Sequence, residues 1–469
     1  MFDPESYVLT RELFLRLLGV IYFIIFFPYL FQIRGLLGKE GILPIGKLLP
    51  YVYDRLGARA YTTLPSIFWF NCTDTALMAV AFTGTALGVL LACGIYPFVM
   101  IFLLYVLYLS IVSTGQDFLS FGWDVFILEI TCNAFFLSLT EVPNIFCWIS
   151  INILVIRFHI QAGAVKLQSR DKNWWNLTAL KYHYQTQPLP NTQAWYIHKF
   201  PMWFHKLSCL LMFAIELVVP LFAFGPDWMR FAVWGLCVGL QVMIWFTGNF
   251  AYLTYLTVAL CTVLLSDAYL SPVFGSPLPA EQTSLWLSLP LSAIGITLIT
   301  LQCLQFWHHF FPTGWIGRLI YALSAFHIVN RYGIFAVMTT KRYEIVIEGS
   351  DDGIDWKEYE FKYKPSEVDR RPRRISPYHP RLDWQAWFLP FSSYQEQKWF
   401  QNFLYRLLQG KEPVCKLLRH NPFVEQPPRY IRAVAYDYVF TTWLEKQETG
   451  NWWKRTLVGN FSPILQLNR

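Results

Sequence analysis

Arg157–Pro201 gathers the groups in this chain best placed to do chemistry. If the apolar run Ile151–Lys166 is helical, residues four and seven apart share a face, so His159, Gly163 and Lys166 line one stripe. A glycine on that stripe lets another backbone or a ligand approach closely. Three roles are open to these groups. A lysine whose pKa is lowered by burial is a general base, with His159 or His183 assisting. A lysine at the edge of hydrocarbon snorkels to the headgroups. A lysine or arginine inside a bundle neutralises a buried carboxylate. Two carboxylates stand within apolar runs, Glu129 and Glu216, and a carboxylate at the centre of a span costs roughly 2.5 to 3.5 kcal/mol on insertion scales. The third role therefore predicts a structural charge network joining Glu129 and Glu216 to Arg157 and Lys166.

The elements that must position these groups are membrane spans. Hydrophobic residues make up 55% of 469 and the mean hydropathy is +0.34, which places most of the chain in a bilayer. Apolar runs at about Leu17–Ile33, Thr75–Cys93, Ile95–Val112, Val125–Leu139, Val142–Phe158, Trp203–Phe224, Phe231–Thr247, Tyr252–Leu265 and Leu285–Phe306 predict a multi-pass α-helical membrane protein of about nine spans. Between Leu17–Ile33 and Thr75–Cys93 the chain has too many polar breaks to span and predicts short interfacial helices. Gly84 and Gly88, in a small-xxx-small pattern, mark a close helix contact. Ser113–Asp124 is too polar to face lipid and caps the bundle or lines a cavity. Leu319–Met338 holds His327, Asn330, Arg331 and Gly333 near its middle, so it is expected half-buried or interfacial.

More than half of the Lys, Arg, Asp and Glu residues fall from Lys341 onwards. Residues 1–340 are therefore expected to form a transmembrane helical domain carrying a polar loop at 157–201, and residues 341–469 a soluble mixed α/β domain. That domain begins with a β-hairpin. Tyr343, Ile345 and Ile347 alternate with Glu344, Val346 and Glu348, and Tyr359, Phe361 and Tyr363 alternate with charged residues across an Asp/Gly-rich turn. Helical patterns occupy Trp399–Gln409 and Tyr430–Trp443. Four spans separate 157–201 from this domain, which puts both on one side of the membrane.

Several classes are excluded. A net charge of +7 without a basic motif suits a membrane surface and gives no nucleic-acid partner. The cysteines, Cys415 apart, lie in or beside apolar runs without metal-ligand spacing, and no metal site is expected. No inverted repeat points to a transporter.

Taken together, GQDFLSFGWD (Gly115–Asp124), RFHIQAGAVKL through YHYQTQPLP (Arg157–Pro190) and NRYGIFAVMT (Asn330–Thr339) resemble the lipase maturation factor family. The resemblance continues through EGSDDG (Glu348–Gly353), YEFKYKP (Tyr359–Pro365), PRLDWQ (Pro380–Gln385) and NPF (Asn421–Phe423), covering nearly the whole chain in order. It implies a multi-pass protein of the endoplasmic reticulum membrane that assists maturation of secreted dimeric lipases, a chaperone-like and non-enzymatic role with a lipase as client and no cofactor. In a bacterium the same fold would sit in the cytoplasmic membrane. On this reading Tyr182, His183, Tyr184, Gln185, Gln187 and Trp195, with the β domain, form the client-binding surface. The resemblance places this loop on the lumenal side, against the basic excess of 157–206, which by the positive-inside rule favours the cytoplasm. A fainter resemblance links AGAVKL (Ala162–Leu167), with Asp171 and Trp174, to the membrane fold of vitamin K-dependent carboxylases. It implies the alternative of a membrane enzyme with Lys166 as general base, His159 and His183 beside it, and a lipid or quinone as cofactor.

Overall fold

The computed structural model describes residues 3–276, 281 and 283–467. Six of its helices are long and apolar enough to cross a bilayer: Asp74–Ala92, Pro97–Thr114, Ile145–Gln168, Met202–Phe222, Asp227–Thr247 and Leu285–Phe310. Two bent pairs raise the number to eight if each is one crossing. The chain is thus a multi-pass membrane protein with six to eight candidate spans where the apolar runs suggest about nine.

The differences have physical causes. The first apolar run bends by 49° between Pro4–Phe26 and Tyr29–Leu37. Pro28, at the break, has no N–H to continue the helical ladder. The run at Tyr252–Leu265 turns by 109° into Asp267–Phe274, and its α-helical part, Leu253–Cys261, is too short to cross alone. Val125–Leu139 lies in the helix Gly122–Leu137, which carries buried Asp124, Glu129 and Asn133 and is enclosed by the bundle. The helix Ile145–Gln168 starts where the Asn144 side chain accepts from the N–H groups of Phe146 and Cys147. It runs unbroken past Arg157 and Lys166, so the first dozen residues of the expected polar loop are helix. No Gly-Pro breaker intervenes, and the helix's own carbonyls serve the polar side chains. The remainder of that stretch is three short helices, Lys172–Trp175, Ala179–Thr186 and Thr192–His198.

The glycine motif sits where two backbones touch. A Cβ on Gly84 would lie 2.3 Å from the Phe26 ring, one on Gly88 would lie 2.7 Å from the Phe23 nitrogen, and one on Gly19 would lie 2.3 Å from the Ala92 nitrogen. The small residues let Val8–Phe26 and Asp74–Ala92 pack backbone to backbone.

Past the helix Gly314–Leu323 the chain turns into the bundle, and 327–342 runs there without regular structure. It leads to an antiparallel sheet of order β2-β1-β3-β4, with β5 pairing β3: β1 Tyr343–Ser350, β2 Lys357–Tyr359, β3 Tyr430–Phe440, β4 Trp453–Asn460 and β5 Leu465–Gln466. The hairpin pairs Ile347 with Tyr359. Its turn is closed by Asp352, whose Oδ1 accepts from the N–H groups of Ile354 and Asp355. The second strand is shorter than its alternation suggests, and Phe361 and Lys364 are buried beyond the sheet. Glu344 through Ser350 are all buried, because the polar face of β1 is covered too.

Tyr430–Phe440 is a strand where the pattern predicts a helix. A register shift at Ala435/Tyr436 changes which parity faces inward, so Ile431 and Ala433 are buried before it and Tyr438 and Phe440 after it. That slip in a period of two imitates a helical period. The helix expected at Trp399–Gln409 is Lys398–Leu408.

Replacing Gly88 by leucine forces the two touching backbones apart, an overpacking that costs roughly 1–3 kcal/mol or more. The thermal midpoint in detergent should fall for Gly88→Leu and stay near wild type for Gly122→Ala, where a Cβ meets nothing within 4 Å. An unchanged midpoint for Gly88→Leu would show that the helices are not in contact there.

Candidate functional site

Among the described residues the bundle holds three ion pairs in which both partners are buried. Glu129 on Gly122–Leu137 meets Arg157 on Ile145–Gln168, both fully buried. The other carboxylate oxygen, Oε2, accepts from the Asn330 backbone N–H at 2.7 Å, the Asn330 side-chain amide at 3.0 Å and the Tyr332 hydroxyl at 2.5 Å. The Tyr332 N–H donates to Gln161 at 3.1 Å, and Gln161 donates to Gln305 on Leu285–Phe310. Three helices and the incoming 327–342 segment thus close on one carboxylate.

Lys166 binds Glu216 at 2.6 and 2.8 Å and donates its remaining proton to the Ala162 carbonyl at 3.0 Å. Glu216 sits in a π-helical turn, Ala214–Val218, inside the span Met202–Phe222. Gly163 makes the pairing sterically possible, since a Cβ there would lie 2.7 Å from Leu217 and 3.0 Å from the Glu216 Cβ. The stripe His159, Gly163, Lys166 is therefore a helix-packing face with an ion pair at its end.

The third pair escaped the sequence reading. Arg381, from the C-terminal domain, makes a bidentate bridge of 2.8 Å on each arm to Asp124, whose Oδ1 also accepts from the hydroxyls of Tyr108 and Tyr252 at 2.6 Å. The motifs holding Asp124 and Arg381 were both visible, but nothing local joins residues so far apart in sequence. In the same domain Glu344 takes both Arg342 and Lys364 at 2.5 Å.

The residues expected to bind a client are mostly spent on packing. Tyr182 and His183 are half-buried, whereas Tyr184, Gln185, Gln187 and Trp195 are buried. Gln185 accepts from the Phe440 N–H at 3.1 Å, and the Gln185 and Gln187 carbonyls accept from Arg342. Gln187 also donates to Thr247 at 2.9 Å, and Trp195 packs edge-on against Trp443 and Trp452. Gln185, Gln187 and Trp195 thus join the bundle to the C-terminal domain, whereas Tyr184 lines a cavity of the bundle beside His205.

Lys166, His159 and His183 do share one cavity of about 620 Å³. As catalytic groups they are poorly disposed. A general base needs a free lone pair, and all three Lys166 protons are engaged. Burial, with Lys166 nearby, pushes the His183 imidazole down to about 4, and its ring stacks on Phe250. His159 Nδ1 lies 2.8 Å from the Val155 carbonyl. Among the described residues no group of three or more His, Cys, Asp or Glu side chains could hold a metal ion.

A larger cavity, about 860 Å³, opens where the bundle meets the C-terminal domain. Its walls are Phe121 and Trp123 from the bundle, the 332–343 segment, and Trp384, Trp387, Phe388 and Phe391 from the domain. Phe158, Ala162, Leu253, Ile334 and Phe335 line both cavities. This groove went unforeseen because its walls come from three distant stretches of sequence.

Fold and site define a multi-pass α-helical membrane protein whose bundle is pinned to a C-terminal domain by buried charges. The model of the lipase maturation factor transmembrane domain matches residues 9–272, and that of the lipase maturation factor C-terminal domain matches residues 328–463. Lipase maturation factor 1 of Mus musculus is 31% identical, over 98% of this chain and 88% of its own length. Lipase maturation factor 2 of the same species is 31% identical over 97% and 83%, and lipase maturation factor 1 of Bos taurus 31% over 98% and 89%. No solved structure matches. The chain belongs to the lipase maturation factor family.

Breaking a buried pair leaves an uncompensated charge and typically costs about 3–5 kcal/mol. Glu216→Gln should therefore lower the thermal midpoint in detergent, and adding Lys166→Met should recover much of the loss. Strictly additive losses in the double variant would mean that the two side chains do not interact.

Proposed function

We propose that this chain is a non-enzymatic maturation factor that assists the folding or assembly of secreted dimeric lipases at the endoplasmic reticulum membrane. The observation that carries the reading is the family match across both domains, to relatives named lipase maturation factors 1 and 2. The buried, fully bonded state of Lys166 favours it over the carboxylase-like alternative.

The client-binding face moves from the YHYQTQPLP segment to the aromatic groove between bundle and domain. Val337 and Phe391, 66% and 52% exposed, stand at its rim, and a concave apolar wall offers rigid contacts at low entropic cost. The bond between Gln185 and Phe440 keeps the 169–201 segment and the C-terminal domain together, and the reading places both in the lumen, where a secreted client folds.

The test is co-expression with a secreted dimeric lipase in cells lacking their own maturation factors. Wild type should restore secreted lipase activity. Val337→Asp combined with Phe391→Asp should reduce it about tenfold, the equivalent of about 1.4 kcal/mol for the pair together, at unchanged membrane level of the factor. No rescue by wild type would overturn the function, and full rescue by the double variant would overturn the groove.

A further inference from the structure

Between the helices Val8–Phe26, Asp227–Thr247 and Leu253–Cys261 the outer surface of the bundle is cut by a crevice of about 260 Å³. Val20 and Val242 on its lips are 42% and 43% exposed, on faces of spans that meet hydrocarbon. A site that encloses a small molecule measures roughly 300–1,000 Å³. This one is smaller and open at its lips, so it fits one aliphatic chain whose molecule stays in the bilayer. Its wall also carries polar groups. Thr254 and Gln241, 3% and 6% exposed, line it, and neither side chain has a hydrogen-bond partner among the described residues. Gln241 borders the 620 Å³ cavity as well. The Tyr255 hydroxyl, also in the wall, accepts from the Trp245 indole at 2.6 Å and keeps its own proton free. Buried polar groups are ordinarily bonded, so this wall is short of an acceptor.

An unpaired charge stands where the crevice meets the C-terminal domain. The Arg374 guanidinium, exposed, lies 4.1 Å from the centre of the Trp245 ring and 5.6 Å from that of Phe246, at the close of the span Asp227–Thr247. Its place is fixed from both sides, because Asn249 donates to the Arg373 carbonyl and accepts from the Ile375 N–H, each at 2.9 Å. Among the described residues Arg374 forms no ion pair, and its N–H donors bond nothing in the protein. Arg371 and Arg373, exposed beside it, add to the positive field. Tryptophan at the end of a span marks headgroup depth. The anion that abounds there is lipid phosphate, which the planar arginine fork takes through two hydrogen bonds. A zwitterionic headgroup brings its own cation, so an unpaired guanidinium favours a lipid of net negative charge.

We propose that this seam binds an anionic phospholipid from the leaflet on the side of the C-terminal domain, with its phosphate on Arg374, one acyl chain in the crevice and an ester carbonyl accepting from the free Tyr255 hydroxyl. The site shares no lining residue with the client groove and does not depend on the function proposed above.

The test uses the purified, delipidated full chain in detergent, with bound lipids counted by native mass spectrometry. The probes are dioleoylphosphatidylglycerol, which is anionic, dioleoylphosphatidylcholine, which has the same chains and phosphate, and soluble glycerol 1-phosphate. One phosphatidylglycerol should bind about tenfold more tightly than phosphatidylcholine, and glycerol phosphate should not displace it. Arg374→Gln should lower the affinity for phosphatidylglycerol about tenfold and erase the preference. Arg55→Gln, which removes another exposed arginine that lies over a ring, that of Tyr51, should leave the preference intact. Val242→Phe, which fills the crevice from an exposed lip, should weaken the binding of both lipids. Equal affinity for the two lipids, displacement by glycerol phosphate, equal losses in Arg374→Gln and Arg55→Gln, or undiminished binding to Val242→Phe would each overturn the proposal.

Discussion

An ionised group taken out of water must find its counter-charge and fill its hydrogen-bonding positions, or the structure around it fails. That constraint organises this molecule. Glu129 is fully buried, and its two oxygens are shared among Arg157, Asn330 and Tyr332. Because those partners come from a neighbouring helix and from the segment leading to the sheet, satisfying one carboxylate fixes the position of both. Asp124 repeats the device with Arg381 from farther along the chain, and two tyrosine hydroxyls fill its remaining valence. The C-terminal domain is in this way made part of the bundle's electrostatics.

The same constraint explains which features were legible in the sequence. Glu129, Glu216, Arg157 and Lys166 stood out because charge within an apolar run is anomalous whatever the fold. Gly84 and Gly88 stood out because their spacing has one common cause in membranes. What sequence could not supply was pairing over distance: Asp124 with Arg381, or the groove assembled from three separate stretches. The packing of the YHYQTQPLP segment was illegible for a related reason. Aromatic and amide side chains beside prolines suit an exposed binding loop and a domain joint equally well, and the contacts of Gln185 with Arg342 and Phe440 lie far away in sequence. At Tyr430–Phe440 the bulge shifted an alternating pattern by one residue, which no local propensity reports.

Chemistry and recognition divide along the same line. A lysine locked to Glu216 and to a helix carbonyl is suited to holding two spans together, not to taking up a proton. The unfilled capacity lies elsewhere, in two apolar cavities that share the wall Phe158, Ala162, Leu253, Ile334 and Phe335. The segment bearing Ile334 and Phe335 follows directly on Asn330 and Tyr332, the residues that Glu129 holds. The buried carboxylate thereby sets the position of two residues that line both the groove and the cavity.

The most direct test of this account is hydrogen–deuterium exchange of the 327–342 segment in wild type and in Glu129→Ala, in detergent. The Asn330 amide is bonded to Glu129 and the Tyr332 amide to Gln161 beside it. Both should be protected in wild type, and in the variant peptides covering 327–342 should exchange at least tenfold faster, while the Asp74–Ala92 helix keeps its protection. Unchanged protection of 327–342 in a folded Glu129→Ala protein would contradict the claim that this carboxylate anchors the C-terminal domain to the bundle.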